Sequence, residues 1–227
     1  MHSSKLSEIR ESTAEERPDV ADDIPDIVIG RLPIYLQALT RMATEGGKLT
    51  TSSQELGERL GISSAQIRKD LSHFGEFGKQ GTGYHINYLV EQLRRILHLD
   101  REWSVALVGA GYLGHALAHY AGFKRRGFQI SWIFDNDPEV VGQKLNGITV
   151  RHVDGLEKVL RREKVQIAVL AVPAAAAQEL ADRLVEAGVH AILTYAPISI
   201  SVPEGVQVQY SDPVVQLQRM TYYLDET

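Results

Sequence analysis

The sequence contains no cysteine, and this absence excludes several classes of protein. Disulfide frameworks, zinc–thiolate sites, iron–sulfur clusters and thiol redox sensing all need a sulfur that this chain lacks. No apolar run approaches the roughly 20 residues needed to cross a bilayer. The first twelve residues have no apolar core of signal-peptide length. We therefore expect a cytoplasmic protein that has no membrane partner and binds no metal.

The net charge of −5 does not by itself favour nucleic-acid binding. The charge is uneven, because residues 1–26 carry 3 basic and 8 acidic side chains, whereas residues 27–100 carry 9 basic and 7 acidic ones. Residues 1–26 are also polar and poor in aromatic side chains, so we predict a disordered acidic tail there. A DNA-binding function must be argued from the pattern of residues 27–100, since their net charge is only slightly positive.

Residues 27–100 have the pattern of a winged helix-turn-helix domain. Ser52 and Ser63 are each placed to cap a short helix, and Gly61 ends the first of the two. In this motif the second helix enters the major groove, with its N-terminal residues near the base edges. The glycine-rich residues 76–84 have the length of a wing. The predicted DNA contacts are Ser63, Ser64, Gln66, Arg68, Lys69, His73 and Lys79.

An ordinary helical domain with a solvated polar face would show much of the same pattern, so the alternative stays open at this point. Asp70 and Glu76 are unfavourable near phosphates. We expect Asp70 to pair with neighbouring Arg or Lys side chains instead.

From Trp103 onward, apolar strands alternate with helices, which predicts a doubly wound parallel sheet over residues 101–212. The motif Gly109-Ala110-Gly111-Tyr112-Leu113-Gly114 follows a strand and opens a helix, as a dinucleotide-binding loop requires. Asp135 ends the next strand, where a carboxylate binds the ribose hydroxyls and repels a 2′-phosphate. These residues are the predicted cofactor contacts and favour NAD(H) over NADP(H), although Arg125 and Arg126 weaken that preference slightly.

The string Ile67-Arg-Lys-Asp-Leu-Ser-His-Phe-Gly-Glu-Phe-Gly-Lys-Gln-Gly-Thr-Gly-Tyr84, followed by the glycine-rich motif, closely resembles the Rex family of redox-sensing transcriptional repressors. The resemblance covers about residues 27–225. Further matches are Arg31-Leu-Pro-Ile-Tyr35, His119-Tyr120, Val172-Pro-Ala174 and the ending Asp212–Tyr223.

This resemblance implies a repressor without catalytic residues, whose ligands are NADH, NAD⁺ and a palindromic double-stranded operator DNA. NADH is expected to release the DNA, while NAD⁺ competes without releasing it. The family also implies a homodimer in which the C-terminal helix, residues 213–227, swaps onto the partner's Rossmann domain. It adds Val172, Pro173 and Tyr195 as cofactor contacts. It further suggests Arg31, Tyr120 and Asp212 as an inter-domain switch, whose hydrogen bonds differ between the two states.

Two other functions are compatible with a Rossmann-like domain. A small NAD-dependent dehydrogenase would need a substrate domain, for which the chain has no room, and a proton-relay pair, which is not obvious. His115 and His119 are better interpreted as ordinary helix residues. A CoA-binding regulator is the second alternative, and Asp135 argues against it.

Overall fold

The computed structural model describes residues 24–79 and 81–224, which form two units that divide between His98 and Leu99. This division falls two residues before the predicted boundary. The predicted acidic tail lies outside the described residues except for residues 24–26, and helix α1 begins at Asp26.

The first unit combines helices with a small antiparallel sheet. Its helices are α1 (Asp26–Ile29), α2 (Leu32–Gly46), α3 (Ser53–Leu60), α4 (Ser64–Ser72) and α5 (Ile86–Ile96). Its strands are β1 (Thr50–Thr51), β2 (Gly78–Lys79) and β3 (Gly83–His85), which pair in the order β1-β3-β2. Strands β2 and β3 form the predicted wing, and helices α3 and α4 form the predicted helix-turn-helix.

Local chemistry explains why α3 and α4 begin and meet where they do. The Ser52 hydroxyl accepts a hydrogen bond from the Glu55 N–H at 3.1 Å, and the Ser63 hydroxyl accepts one from the Gln66 N–H at 3.2 Å. Each bond satisfies a donor that the first helical turn leaves unpaired. At Gly57 a side-chain Cβ would lie 2.3 Å from the Ile62 carbonyl oxygen, so the tight turn between the helices needs glycine.

The second unit is built on a twisted sheet with helices on both sides. Its helices are α6 (Tyr112–Ala118), α7 (Gly122–Arg125), α8 (Leu156–Glu163), α9 (Ala174–Glu186) and α10 (Pro213–Thr221). Its strands are β4 (Trp103–Val108), β5 (Phe128–Asp135), β6 (Lys144–Leu145), β7 (Ile148–His152), β8 (Ile167–Leu170), β9 (Ala191–Thr194) and β10 (Gln207–Tyr210). The strand order is β10-β9-β8-β4-β5-β7-β6, and the pairs are parallel except for β6 with β7. The predicted class, a winged helix-turn-helix followed by a Rossmann-like sheet, is confirmed.

The continuous apolar run in β4 is explained by burial on both faces of the sheet. Ala106 and Val108 pack into a core with α8 and α9, whereas Val105 and Leu107 pack into a second core on the opposite face. Because successive side chains of a strand point to opposite faces, a strand covered on both sides needs apolar residues at every position. This packing fixes the end of β4, from which the glycine-rich loop departs.

The helical segment that follows the glycine-rich loop is divided into two helices. Helix α6 ends at Ala118, and a separate helix α7 begins at Gly122. The amide of Asn146 donates a hydrogen bond to the Ala118 carbonyl at 2.9 Å, a contact from a distant loop that stabilises the early end of α6. At Gly122 a Cβ would lie 2.3 Å from the ring of Tyr120, which is exposed, so a larger residue there would have to displace that ring.

Candidate DNA-reading and dinucleotide-binding sites

Helix α4 has a buried side and an exposed side. Ile67, Asp70 and Leu71 are buried, and the exposed residues are Ala65, Arg68, Lys69 and Ser72. Ala65 was missed as a candidate contact, although its position on the helix, between the predicted polar residues, could have indicated it. Its methyl group is suited to contact the methyl group of a thymine.

The predicted DNA contacts take three different positions in the first unit. Ser63 is exposed at the N-cap of α4, while Ser64, Gln66 and His73 are half-buried. Lys79 lies on β2, paired with Gly83 of β3. The Arg68 guanidinium donates a hydrogen bond to the Ser53 hydroxyl at 2.9 Å, which places it beside the first turn of α3. A guanidinium in this position suits a phosphate.

Asp70 pairs with an arginine, as expected, but this arginine does not lie on the same helix as Asp70. Asp70 is fully buried, and its partner is Arg31, which donates from Nε at 2.5 Å and from Nη2 at 2.7 Å. The hydroxyl of the buried Tyr35 donates to the same carboxylate at 2.5 Å, and the Gln66 amide donates at 2.7 Å. Sequence reasoning missed this cluster because Arg31 lies 39 residues away and no local pattern connects the two.

The ionisation of this cluster follows from its contacts. Burial raises the pKa of Asp70, but the hydrogen bonds from Arg31, Tyr35 and Gln66 outweigh it, so the pKa lies below its ordinary value of 3.8. Burial and the hydrogen bond to Asp70 raise the pKa of the Tyr35 hydroxyl, which therefore stays protonated as a donor. The cluster is a charged pair with two neutral donors at neutral pH.

A cleft of about 440 Å³ opens in the second unit beside the carboxyl ends of β4, β5 and β8. The order of the strands reverses at β4, and ligands of open α/β sheets bind at this switch point. Five of the predicted cofactor contacts line the cleft: Gly109, Gly111, Asp135, Val172 and Pro173.

The three glycines of the motif differ in why glycine is needed at each position. Gly109 has a φ of +98°, and a Cβ there would lie 2.3 Å from the Ala171 carbonyl oxygen. At Gly114 a Cβ would lie 1.9 Å from the Gly109 carbonyl oxygen, so this glycine lets α6 approach β4. At Gly111, by contrast, a Cβ would meet no atom within 4 Å. Folding does not require glycine at 111, but a ligand that approaches the backbone there would.

Asp135 holds the glycine-rich loop in place. Its carboxylate accepts hydrogen bonds from the Ala110 N–H at 2.6 Å and from the Asp137 N–H at 2.8 Å. A carboxylate has about four acceptor positions, so capacity remains for ribose hydroxyls. Asp135 therefore links the end of β5 to the loop after β4.

Other predicted contacts do not line the cleft. The Tyr112 side chain and Leu113 are exposed, Gly114 is buried in packing, and Tyr195 is half-buried against the core. The cleft lining includes residues that sequence reasoning missed, among them Asp137, Val140, Val153, Glu179 and Arg183. Asp137 and Val140 follow Asp135 closely and could have been found, whereas Glu179 and Arg183 come from α9, which only the fold brings to the cleft.

The acidic lining of the cleft disfavours an additional phosphate on the ribose. Arg183 lines it, but its guanidinium donates to the Glu157 carboxylate at 2.5 Å and to the Val153 carbonyl at 2.9 Å. The hydrogen bond from Arg183 lowers the pKa of Glu157, so this pair is ionised at neutral pH. Asp135, Asp137 and Glu179 add negative charge to the lining. The geometry fits NAD(H) better than NADP(H).

The three proposed switch residues lie in separate surroundings. Arg31, in the first unit, is held by Asp70. In the second unit, Tyr120 is exposed and its ring meets the edge of Phe123 at a centroid distance of 5.5 Å. Asp212 caps α10, because its carboxylate accepts a hydrogen bond from the Val214 N–H at 2.8 Å. Their role as a switch stays a prediction.

Comparisons with known proteins agree with this architecture. Residues 100–198 match the family model described as "CoA binding domain", and residues 23–72 match the one described as "Putative DNA-binding protein N-terminus". A redox-sensing transcriptional repressor Rex from Roseiflexus sp. (strain RS-1) is 50% identical over 206 residues, which cover 91% of this chain and 93% of the relative. The chain belongs to the Rex family of redox-sensing transcriptional repressors.

Further Rex-family proteins extend the likeness. The Rex repressor of Streptomyces coelicolor (strain ATCC BAA-471 / A3(2) / M145) is 46% identical over 88% of this chain and 77% of its own length. The crystal structure of the repressor RSP in complex with β-NAD⁺ and operator DNA superposes with a TM-score of 0.83, at 38% identity, over 88% of this chain and 92% of RSP. The RSP complex with β-NADH gives a TM-score of 0.81, at 36% identity, over 88% of this chain and 94% of RSP.

These relatives are transcriptional repressors, so the dehydrogenase alternative is wrong and the predicted non-enzymatic function is confirmed. Among residues 24–79 and 81–224, no helix is both long and apolar enough to cross a membrane.

Proposed function

We propose that this Rex-family protein binds operator DNA through its first unit and leaves the operator when NADH binds its second unit. The observation that carries this function is that one chain combines an exposed reading helix beside a wing with a loop and cleft shaped for a dinucleotide. The relative RSP, whose structures contain β-NAD⁺ with operator DNA or β-NADH, supports the same pair of ligands. Binding to chromosomal DNA would require a cytoplasmic location, as we expected from the sequence.

The DNA contacts separate into two kinds. Ser63, Ser64, Arg68 and the wing residue Lys79 are suited to phosphates, which fix the register of the protein on the duplex. Gln66, Lys69 and His73 are suited to base edges, together with the newly identified Ala65. Base edges rather than phosphates give the sequence preference that a repressor needs.

The nucleotide site uses backbone groups at the phosphates and a carboxylate at the ribose. The loop from Gly109 to Gly114 offers N–H groups to the pyrophosphate, and Asp135 accepts hydrogen bonds from the ribose. Val172 and Pro173 give the cleft apolar lining near the end of β8. Apolar surroundings disfavour the cationic oxidised nicotinamide ring relative to the neutral reduced ring. This difference is the source of redox sensitivity, because a ligand shifts an equilibrium only by its differential affinity.

We further propose that the functional species is a homodimer joined through α10. Within the described chain, α10 buries none of its residues, and its apolar side chains Val214, Val215, Leu217 and Met220 are each more than half exposed. A helix with this composition needs a partner surface. A swapped position on a second copy would provide one, and the two reading helices of such a dimer suit a palindromic operator.

The test is a titration of operator binding with each form of the nucleotide. A duplex selected from a randomised pool with the nucleotide-free protein serves as the probe, and fluorescence anisotropy at a fixed salt concentration reports binding. NADH should weaken binding about 5- to 150-fold, which corresponds to a coupling of about 1–3 kcal/mol. NAD⁺ should reverse the effect of NADH by competition. An affinity for the duplex that is unchanged by millimolar NADH would refute the proposed function.

A further inference from the structure

The buried Asp70 is an unusual residue for the reading helix. It lies on the side of α4 that faces the core, as Ile67 and Leu71 do, and it has no exposed surface. A charged pair in such a place contributes little to stability compared with well-packed apolar side chains of similar volume. Packing therefore does not explain why a carboxylate stands here. Its directional hydrogen bonds point to a functional role instead.

Each oxygen of Asp70 accepts two hydrogen bonds. One oxygen, Oδ2, accepts from Arg31 Nε and from the Tyr35 hydroxyl, both at 2.5 Å. The other oxygen, Oδ1, accepts from Arg31 Nη2 and from Gln66 Nε2, both at 2.7 Å. Arg31 and Tyr35 belong to the start of α2, so they fix the carboxylate in space, and the carboxylate in turn fixes the amide of Gln66.

This contact determines which way the Gln66 amide faces. An ionised carboxylate can only accept hydrogen bonds, so the amide must direct an N–H, and not its oxygen, toward Asp70. The amide nitrogen still has a second N–H, and its oxygen is also available. One donor and one acceptor are what a glutamine needs to bind the N7 and N6 positions of adenine together.

We propose that Asp70 is a positioning residue for base recognition, which holds the Gln66 amide in the orientation that reads an adenine, without itself touching DNA. This role rests on the proposed DNA-binding function. It assigns to Arg31 and Tyr35 the task of holding Asp70, and it makes sequence discrimination by α4 dependent on a contact with α2.

The experiment compares discrimination with general DNA binding in the full-length protein. The selected duplex is compared with duplexes in which single A·T pairs are replaced symmetrically by G·C, and with an unrelated duplex of equal length. Gln66→Ala identifies the pair that Gln66 reads, because discrimination at that pair should fall at least fivefold, in line with the value of one bidentate contact. Asp70→Asn should lose most of the same discrimination, with binding to the unrelated duplex changed less than twofold.

Combining the two changes separates positioning from a general structural role. Asp70→Asn should add no further loss of discrimination at that pair in the Gln66→Ala background. Tyr35→Phe is the matched control, since it removes one donor from Oδ2 and leaves the contact between Gln66 and Oδ1 in place, and it should keep discrimination. If Asp70→Asn does not fold, the Arg31→Gln/Asp70→Asn variant replaces it, because it leaves no unpaired buried charge.

Three results would overturn this role for Asp70. They are full discrimination in the folded Asp70 variant, an equal loss of affinity for every duplex, and a Gln66→Ala variant that discriminates like the wild type. A wild-type protein that binds no duplex at all would instead contradict the proposed function. The two failures are therefore distinguishable in the same set of measurements.

Discussion

Replacing Gly111 by valine tests the dinucleotide site with little disturbance of the fold. A Cβ at this position meets no atom within 4 Å, and the backbone, with φ of −64° and ψ of −165°, is one that other residues adopt. The free energy of unfolding of the nucleotide-free protein should therefore change by only about 1 kcal/mol or less. The added side chain would, however, occupy the cleft that Gly111 lines.

The expected loss of nucleotide affinity follows from the contacts that the valine blocks. A hydrogen bond between a backbone N–H and a charged phosphate contributes about 1.5–3 kcal/mol, so losing one weakens binding roughly 10- to 150-fold. Calorimetric titration with NADH measures the affinity, and thermal unfolding without nucleotide measures the stability. The variant should still bind operator DNA but should no longer release it at NADH concentrations that release the wild type.

Gly114→Ala is the matched control for this experiment. Its Cβ would lie 1.9 Å from the Gly109 carbonyl oxygen, so the same loop would have to move and the protein should lose stability even without nucleotide. NADH affinity in Gly111→Val equal to that of the wild type would show that no ligand approaches the loop there. A large loss of stability in Gly111→Val would show that the steric reasoning is wrong.

Three further predictions concern other parts of the chain. Asp70→Asn should lower the free energy of unfolding at pH 7 by about 3 kcal/mol, the lower end for a broken buried pair, since Arg31 is partly exposed. Because the folded-state pKa of Asp70 lies below 3.8, its contribution to stability is present above that pH and is lost as the pH falls through the folded-state pKa. Thermal unfolding measured from pH 7 to 2 should therefore show the stabilities of the variant and the wild type converging in acid. Arg68→Ala should weaken binding to all duplexes alike and reduce the slope of log affinity against log salt by about one, measured by anisotropy, whereas a loss confined to one base pair would contradict a phosphate contact. Leu217→Asp should convert the proposed dimer into a folded monomer, since Leu217 is 60% exposed, and light scattering together with circular dichroism would check mass and folding.

The parts of the fold that depend on local patterns could be predicted from the sequence. The caps at Ser52 and Ser63, the apolar run of β4 and the spacing from Gly114 to Asp135 each act over a few residues or one supersecondary unit. The parts that could not be predicted depend on distant contacts. Asn146 stabilises the early end of α6, and α9 brings Arg183 to the cleft, and neither contact leaves a periodic trace in the sequence.

Residues of the candidate site were also predicted only in part. Gln66 was found because it lies in the first turn of a helix that has a recognisable N-cap. Its hydrogen bond to Asp70 was missed, because Asp70 was expected to pair with Arg or Lys side chains and a glutamine was not considered as a partner. The exposed face of α4 was also incompletely described, since Ala65 carries no polar group to attract attention.

The hydrogen bond between Asp135 and the Ala110 N–H has a consequence for anyone who wishes to turn this protein into a biosensor for the phosphorylated cofactor. Exchanging the acid for serine or arginine, the obvious first step toward accepting NADP(H), would also leave the Ala110 N–H without its acceptor and loosen the turn that cradles the pyrophosphate. A redesign confined to charge would then lose affinity for both cofactors at once. A successful one has to install a replacement acceptor for that backbone group together with the new cation.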